Sequence, residues 1–134
     1  MTGVQTCALP IYAAANAEIC LLLQVETKLG LDNLEKIASV EGVDGVFVGP
    51  GDLSAALGYL GQPSHPEIIK IIDDMIPRIK KAGAAPGILT GDVELAQHYI
   101  DRGCLFAAVG SDLGLLARGA DQLAAKFRAQ NSGR

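Results

Sequence analysis

Short apolar runs alternate along this chain with amphipathic segments of helical spacing. The apolar runs cover residues 19–25, 45–48, 86–90 and 105–109. The first of them is nearly continuous, which is typical of a strand buried on both faces. Because a helical segment separates each run from the next, the pattern predicts βαβ units and an α/β fold with a parallel sheet.

Capping signals predict where the intervening helices begin and end. A capping box at Asp32 starts a helix over residues 32–40. A second capping box at Ser64 starts a long helix that ends at Gly83 and that Pro77 is expected to kink. Further helices are predicted over residues 12–18, 92–102 and 115–129, the last in one or two pieces with Gly119 as the candidate break.

Polar residues and glycines cluster where each predicted strand ends. Gln24 and Glu26 end the first strand, and the later ends are residues 49–52 (GPGD), 89–91 (LTG) and 110–112 (GSD). Four βα units fit either a doubly wound sheet or part of an eight-stranded barrel, whose full length is about 250 residues. Barrel enzymes place their active sites at the carboxyl ends of the strands, so the clustering favours part of a TIM barrel.

Composition restricts the class of protein. The chain has 134 residues, 49% hydrophobic and 19% charged, which fits one packed domain and argues against disorder. The net charge is -4 and the longest basic run is Lys80-Lys81, so we expect no nucleic-acid partner. No apolar stretch reaches the roughly 18 residues of a transmembrane helix, and we expect no membrane association.

The three cysteines are Cys7, Cys20 and Cys104, an odd number without metal-type spacing. We therefore expect neither a disulfide framework nor a zinc site, and we predict a cytoplasmic protein. Cys20 and Cys104 begin apolar runs and are predicted to be small buried residues.

The first eleven residues (MTGVQTCALPI) carry no charge and lack the basic start of a signal peptide. We interpret residues 1–11 as a non-native leader translated from a sequencing adapter. Residues 12–134 are then the domain, a partial barrel.

Gln24 and Glu26 lie on one face of the first strand because side chains alternate along a strand. Polar groups on an inward face cost free energy unless they have partners. One interpretation is a structural ion pair or hydrogen bond. The other is a metal ligand, Glu26, beside a substrate-binding amide, Gln24.

Asp52 follows the Gly-Pro-Gly turn and, taken alone, is best interpreted as a helix N-cap. Paired with Glu26 at the neighbouring strand end, it indicates an all-oxygen site for Mg²⁺, Mn²⁺ or Co²⁺. The backbone amide of Gly51 or Asp52 could bind a substrate carboxylate at the start of the helix.

The strings QVET, VEGVDGVFVGPGDLSAALG, HPEI, GILTGD and FAAVGSDLGLL follow one another along the chain. Together they resemble the HpcH/HpaI class II aldolases, which cleave 2-oxo-4-hydroxy acids to pyruvate and an aldehyde. The resemblance runs from about residue 12 to residue 127 and implies the C-terminal half of a TIM (β/α)₈ barrel.

The resemblance also implies roles for six residues. Glu26 and Asp52 would hold the divalent metal, and the substrate-binding residues would be Gln24, Gly51, Phe47 and Leu89. Neither the basic histidine nor the substrate-binding arginine of the family has a counterpart here, since both belong to the N-terminal half. The resemblance further implies a homo-oligomer, a hexamer, as the full-length state.

Three alternatives stay open. Lys28 could form a Schiff base with pyruvate, as in a class I aldolase, although residues 27–30 have the pattern of a loop. Residues 110–112 together with Gly91 could form the phosphate site of another barrel enzyme. The chain could also be a non-catalytic barrel fragment with open strand edges. His65 and His98 are interpreted as capping or surface residues.

Overall fold

The computed structural model describes residues 8–131. Its strands are β1 (Leu22–Val25), β2 (Gly45–Val48), β3 (Ala85–Leu89) and β4 (Phe106–Ala108). Its helices are α1 (Ala8–Glu18), α2 (Lys28–Asp32), α3 (Leu34–Ala38), α4 (Pro50–Ala56), α5 (Pro66–Ala82), α6 (Val93–Asp101) and α7 (Asp112–Asn131). No helix within this part of the chain is both long enough and apolar enough to cross a membrane.

The four strands form one parallel sheet in the order β1-β2-β3-β4, which confirms the predicted α/β class. A doubly wound sheet reverses its strand order partway. No reversal occurs among the described strands. Because βα crossovers are right-handed, a strictly sequential order places the connecting helices on one face of the sheet.

The face that carries Val25, Val46, Val48 and Ile88 lies against the helices and is fully buried. The opposite face is open, with Leu22, Leu89 and Phe106 exposed by 40%, 43% and 45%. The prediction that the first strand is buried on both faces is therefore wrong. Helices cover only one side of the sheet among the described residues.

Helix α5 supplies more residues to the core than any other element does. Its buried residues recur every three or four positions: Ile68, Ile72, Met75, Ile76 and Ile79. The helix ends at Gly83 as predicted, because Gly83 has φ 102 and only glycine adopts that conformation without strain. It continues past Pro77 as one element.

Two predicted helix starts differ from the structure. The N-cap of α5 is His65, not Ser64, because the His65 Nδ1 accepts from the Glu67 amide at 3.2 Å. Asp32 ends α2 instead of capping a helix, since the Thr27 hydroxyl already accepts from the Gly30 amide at 3.0 Å. Residues 27–30 are thus an N-cap and the start of a helix, not a loop.

The last helix also begins earlier than predicted. Helix α7 starts at Asp112, where the Ser111 hydroxyl accepts from the Gly114 amide at 3.1 Å. It passes through Gly119 without a break, since one interior glycine costs only about 1 kcal/mol.

Two other predictions concern the first twenty residues. Helix α1 begins at Ala8, inside the segment interpreted as a leader, while residues 1–7, including Cys7, lie outside the described residues. The non-native origin of that segment stays a prediction. Cys20, which lies between α1 and β1, is exposed, contrary to expectation. Cys104 is buried as predicted, and burial raises its pKa to about 11.

An ion pair between Glu35 and Arg78 links α3 to α5. The Arg78 guanidinium donates to both carboxylate oxygens of Glu35, at 2.5 and 3.1 Å. This hydrogen bonding lowers the pKa of Glu35 from 4.5 to about 2. A carboxyl whose pKa is lower in the folded chain stabilises the fold above its unfolded pKa, and that contribution is lost as the pH falls.

We therefore expect the wild-type chain to lose stability between about pH 4.5 and pH 2 in part through Glu35. Glu35→Gln should be less stable than wild type at pH 6 and should lose less stability on acidification. Urea unfolding of both chains at pH 6 and pH 3 measures this, with the exposed Glu41→Gln as control. Parallel losses in all three chains would contradict it.

Candidate functional site

A cleft of about 360 Å³ opens at the carboxyl ends of β1, β2 and β3. Gln24, Phe47 and Leu89 approach it from the strands, and Gly49, Gly51 and Asp52 border it from the turn into α4. This is the edge of the sheet where the sequence predicted the site.

Glu26 lies one residue beyond the end of β1 and is half-buried. The Gln24 side-chain amide, Nε2, donates to its carboxylate oxygen Oε2 at 2.6 Å. Gln24 and Glu26 therefore form the hydrogen bond that the structural interpretation of this pair predicted. The second oxygen, Oε1, has no hydrogen-bond partner among the described residues. It is available as a ligand atom.

Asp52 is not the N-cap that the simpler interpretation required. Gly49 is the N-cap of α4, and Pro50 occupies the first helical position, where its fixed φ suits the helix. Asp52 is therefore the third helical residue, and its carboxylate is exposed at the cleft. The partial positive charge of the helix start favours a negative charge there.

Glu26 and Asp52 follow neighbouring strands at the same edge of the sheet. Val25 pairs with Val48, so Glu26 comes next to Gly49, and Asp52 lies in the helical turn that Gly49 caps. No group of three or more His, Cys, Asp or Glu side chains with metal-binding geometry occurs within the described part of the chain. A cation here would have two protein carboxylates and open positions for water or substrate, an arrangement common for Mg²⁺.

Phe47 and Leu89 give the cleft an apolar wall. Phe47 packs against Phe106, with ring centroids 5.5 Å apart, and Leu89 is 43% exposed. Gly51 is exposed, and a Cβ built on it would meet no atom within 4 Å. The structure thus brings five of the six predicted residues to the cleft and joins the sixth, Glu26, to Gln24. Their individual roles stay predictions.

Several lining residues were missed by the sequence interpretation. Leu95 and Tyr99 come from α6, and Pro63 and Ser64 come from the loop before α5. Thr90, which follows β3, also lines the cleft and belongs to the strand-end cluster of residues 89–91. Leu95 and Tyr99 are four residues apart on one helix face, a spacing that could have identified them. Burial raises the pKa of Tyr99 to about 12, so its hydroxyl stays protonated at neutral pH.

Lys28, the residue on which a class I mechanism would depend, lies outside the cleft. It is the first residue of α2, is exposed, and is absent from the cleft lining.

Ser111 and Asp112 of the candidate phosphate site also lie outside the cleft lining. The Ser111 hydroxyl accepts from Gly114, and Asp112 Oδ1 accepts from the Leu113 amide at 2.7 Å. Both side chains therefore cap the start of α7, and of this group only Gly91 lines the cleft.

His65 is a capping residue as predicted, whereas His98 is half-buried and contacts a neighbouring helix. His65 caps α5 and lies over Tyr59, with ring centroids 4.2 Å apart. The His98 Nε2 lies 2.8 Å from Asp73 Oδ1, linking α6 to α5.

Known proteins match this chain along most of its length. A profile of the HpcH/HpaI aldolase/citrate lyase family matches residues 3–119. A 4-hydroxy-2-oxo-heptane-1,7-dioate aldolase of Shigella sonnei is 53% identical over 116 residues, which are 87% of this chain and 44% of that protein. A hydroxypyruvate/pyruvate aldolase of Pseudomonas aeruginosa is 54% identical over 114 residues, which are 85% of this chain and 42% of that protein.

Among solved structures, an HpcH/HpaI aldolase/citrate lyase family protein from Burkholderia cenocepacia J2315 superposes with a TM-score of 0.79. It is 37% identical, and the match covers 88% of this chain and 46% of that one. The chain therefore spans less than half the length of each of these relatives.

Proposed function

This chain belongs to the HpcH/HpaI aldolase/citrate lyase family, and we propose that it forms the metal-binding and pyruvate-binding half of a class II aldolase. The observation that carries the proposal is a cleft at the carboxyl ends of neighbouring parallel strands that is lined by Asp52, by an apolar wall and by Gln24, whose amide binds the Glu26 carboxylate. The reaction would be the reversible cleavage of a 2-oxo-4-hydroxy acid to pyruvate and an aldehyde.

The architecture proposed for the whole protein is a (β/α)₈ barrel of which β1–β4 are four strands. Sequential strand order supports this, and so does the coverage of only one sheet face by helices. In a closed barrel, the open face with Leu22 and Phe106 would point inward. We also propose a homo-oligomer for the complete protein and a cytoplasmic location, both from the family resemblance and the cysteine usage.

In this mechanism Glu26 and Asp52 would hold Mg²⁺, Mn²⁺ or Co²⁺, which supplies Lewis-acid stabilisation of the negative charge that develops on the keto oxygen of pyruvate. Each remaining task falls to a residue of the chain. The Gly51 amide, at the start of α4, would donate to the substrate carboxylate. The Gln24 side chain would contact pyruvate, while Phe47 and Leu89 would enclose its methyl group.

The proposed reaction also needs a base that transfers a proton. The described residues that line the cleft include no histidine, lysine or arginine. We therefore propose that the base and the substrate-binding arginine come from the other half of the complete protein, and that this chain alone has little or no aldolase activity. Divalent-metal-dependent release of pyruvate by the purified chain would overturn that statement.

A hybrid enzyme separates the class II mechanism from the Schiff-base alternative. Residues 12–134 would replace the matching region of the Shigella sonnei relative, which is 53% identical. We expect aldol cleavage that EDTA abolishes and Mn²⁺ restores. We also expect borohydride with pyruvate to add no mass to the peptide containing Lys28, with Lys28→Arg as the control for that peptide. Activity that survives EDTA, together with a labelled Lys28, would contradict the proposal.

A further inference from the structure

Gly49 lies where an added side chain would collide with the Gln24-Glu26 pair. A Cβ built on Gly49 would lie 2.8 Å from Glu26 Oε2, 3.0 Å from Gln24 Nε2 and 3.2 Å from Glu26 Cβ. The 2.8 Å contact requires the carboxylate to shift, and the contacts at 3.0 and 3.2 Å are tighter than nine in ten real Cβ contacts. Any residue other than glycine would therefore displace the carboxylate or the amide.

The backbone does not require glycine at this position. Gly49 has φ -99 and ψ 91, an extended conformation that any residue adopts. Three other glycines follow the strands at this edge of the sheet, namely Gly51, Gly91 and Gly110. A Cβ on any of these three would meet nothing within 4 Å. Among these four glycines that follow the strands, only Gly49 lacks room for a Cβ.

Gln24 holds the same carboxylate from the other side. Its Nε2 donates to Glu26 Oε2 at 2.6 Å, and this bond fixes the oxygen that faces Gly49. With Oε2 held, the carboxylate keeps Oε1 as its unpartnered oxygen. Outer partners of this kind orient metal ligands in many proteins.

We infer that Gly49 and Gln24 are positioning residues that together fix the orientation of the Glu26 carboxylate for metal binding. The inference rests on the proposed function for the metal itself, but the geometry it describes exists without metal. Gly49 supplies space, and Gln24 supplies the hydrogen bond. Each acts through Glu26, and neither needs to contact the ion.

Mn²⁺ titration of the complete chain by electron paramagnetic resonance, without pyruvate, tests this. We expect Gly49→Ala and Gln24→Ala each to weaken Mn²⁺ binding by about 10- to 100-fold, the range for lost outer partners of metal ligands. Gly110→Ala, which adds the same methyl group in open space, should bind as wild type does. The double variant Gln24→Ala/Gly49→Ala should lose less than the product of the single losses, because both act on one carboxylate.

A second readout needs no metal. In ¹H-¹⁵N spectra of the metal-free chain, the side-chain amide signals of Gln24, assigned by their loss in Gln24→Ala, should shift in Glu26→Gln and in Gly49→Ala but not in Gly110→Ala. Unshifted Gln24 signals in Gly49→Ala would overturn the inference. Wild-type Mn²⁺ affinity in both single variants would also overturn it. A wild-type chain that binds no Mn²⁺ would instead refute the proposed metal site, and the amide signals would still decide the geometry.

Discussion

Glu26→Gln is expected to reduce the affinity of this chain for Mn²⁺ by more than about 100-fold, since losing a ligand costs more than losing an outer partner. The substitution keeps the size of the side chain and replaces a charged oxygen by an amide nitrogen that cannot bind a cation. Isothermal titration with Mn²⁺, with pyruvate present, measures the loss. Asp52→Asn should behave in the same way, because the proposed ion has only these two protein ligands.

The control for this prediction is an equally conservative change far from the cleft. Glu41→Gln removes one exposed carboxylate and changes the net charge by the same amount. Its affinity for Mn²⁺ should equal that of wild type. If Glu41→Gln and Glu26→Gln weaken binding equally, the effect is one of overall charge and the assigned site is wrong.

The largest expected effect on stability comes from Ile72→Ala. Ile72 lies at the middle of α5 with 0% of its surface exposed, in the core that covers the sheet. Truncating a buried isoleucine to alanine costs about 2–5 kcal/mol, from lost burial and from the cavity left behind. Domains are typically stable by only about 5–15 kcal/mol, so much of the stability should disappear. Urea unfolding monitored by circular dichroism measures the change.

Ile100→Ala is the matched control. Ile100 is on α6 but is 42% exposed, so the same truncation removes less buried surface. We expect a loss of less than about 1 kcal/mol. Equal losses at the two positions would mean that α5 does not form the core against the sheet.

The α/β class followed from the sequence because the period of the hydrophobic pattern and the spacing of the apolar runs indicate a parallel sheet. Apolar runs separated by helical segments predicted a parallel sheet, and the sheet is parallel. The family resemblance, carried by strings such as residues 40–58, is confirmed by the match over residues 3–119. Burial was harder to predict, since Leu22 and Phe106 belong to apolar strands yet lie on the open face.

Helix starts were predicted less well because several residues compete for one capping role. Ser64 and His65 are neighbours just before Pro66, and either could cap α5. In the structure His65 is the N-cap, and Ser64 lines the cleft. Thr27 likewise caps a helix that begins before Asp32 and ends at it. Which residue becomes the cap depends on the path of the chain before the helix, and the local sequence does not determine that path.

At the site, strand alternation placed Gln24 with Glu26 and so anticipated their contact. The special role of Gly49 was not predicted, because its cause is a distance between two strands. Glycines at positions 49 and 51 look alike in sequence, and only the register of β1 against β2 distinguishes them.

The central claim is that this chain brings a metal ion and pyruvate to one site. The most direct test is the relaxation of ¹³C-labelled pyruvate in the presence of the chain and Mn²⁺. The account predicts that wild-type chain with Mn²⁺ shortens the relaxation times of C1 and C2 far more than Glu26→Gln chain with the same Mn²⁺. Equal relaxation with the two chains would contradict it.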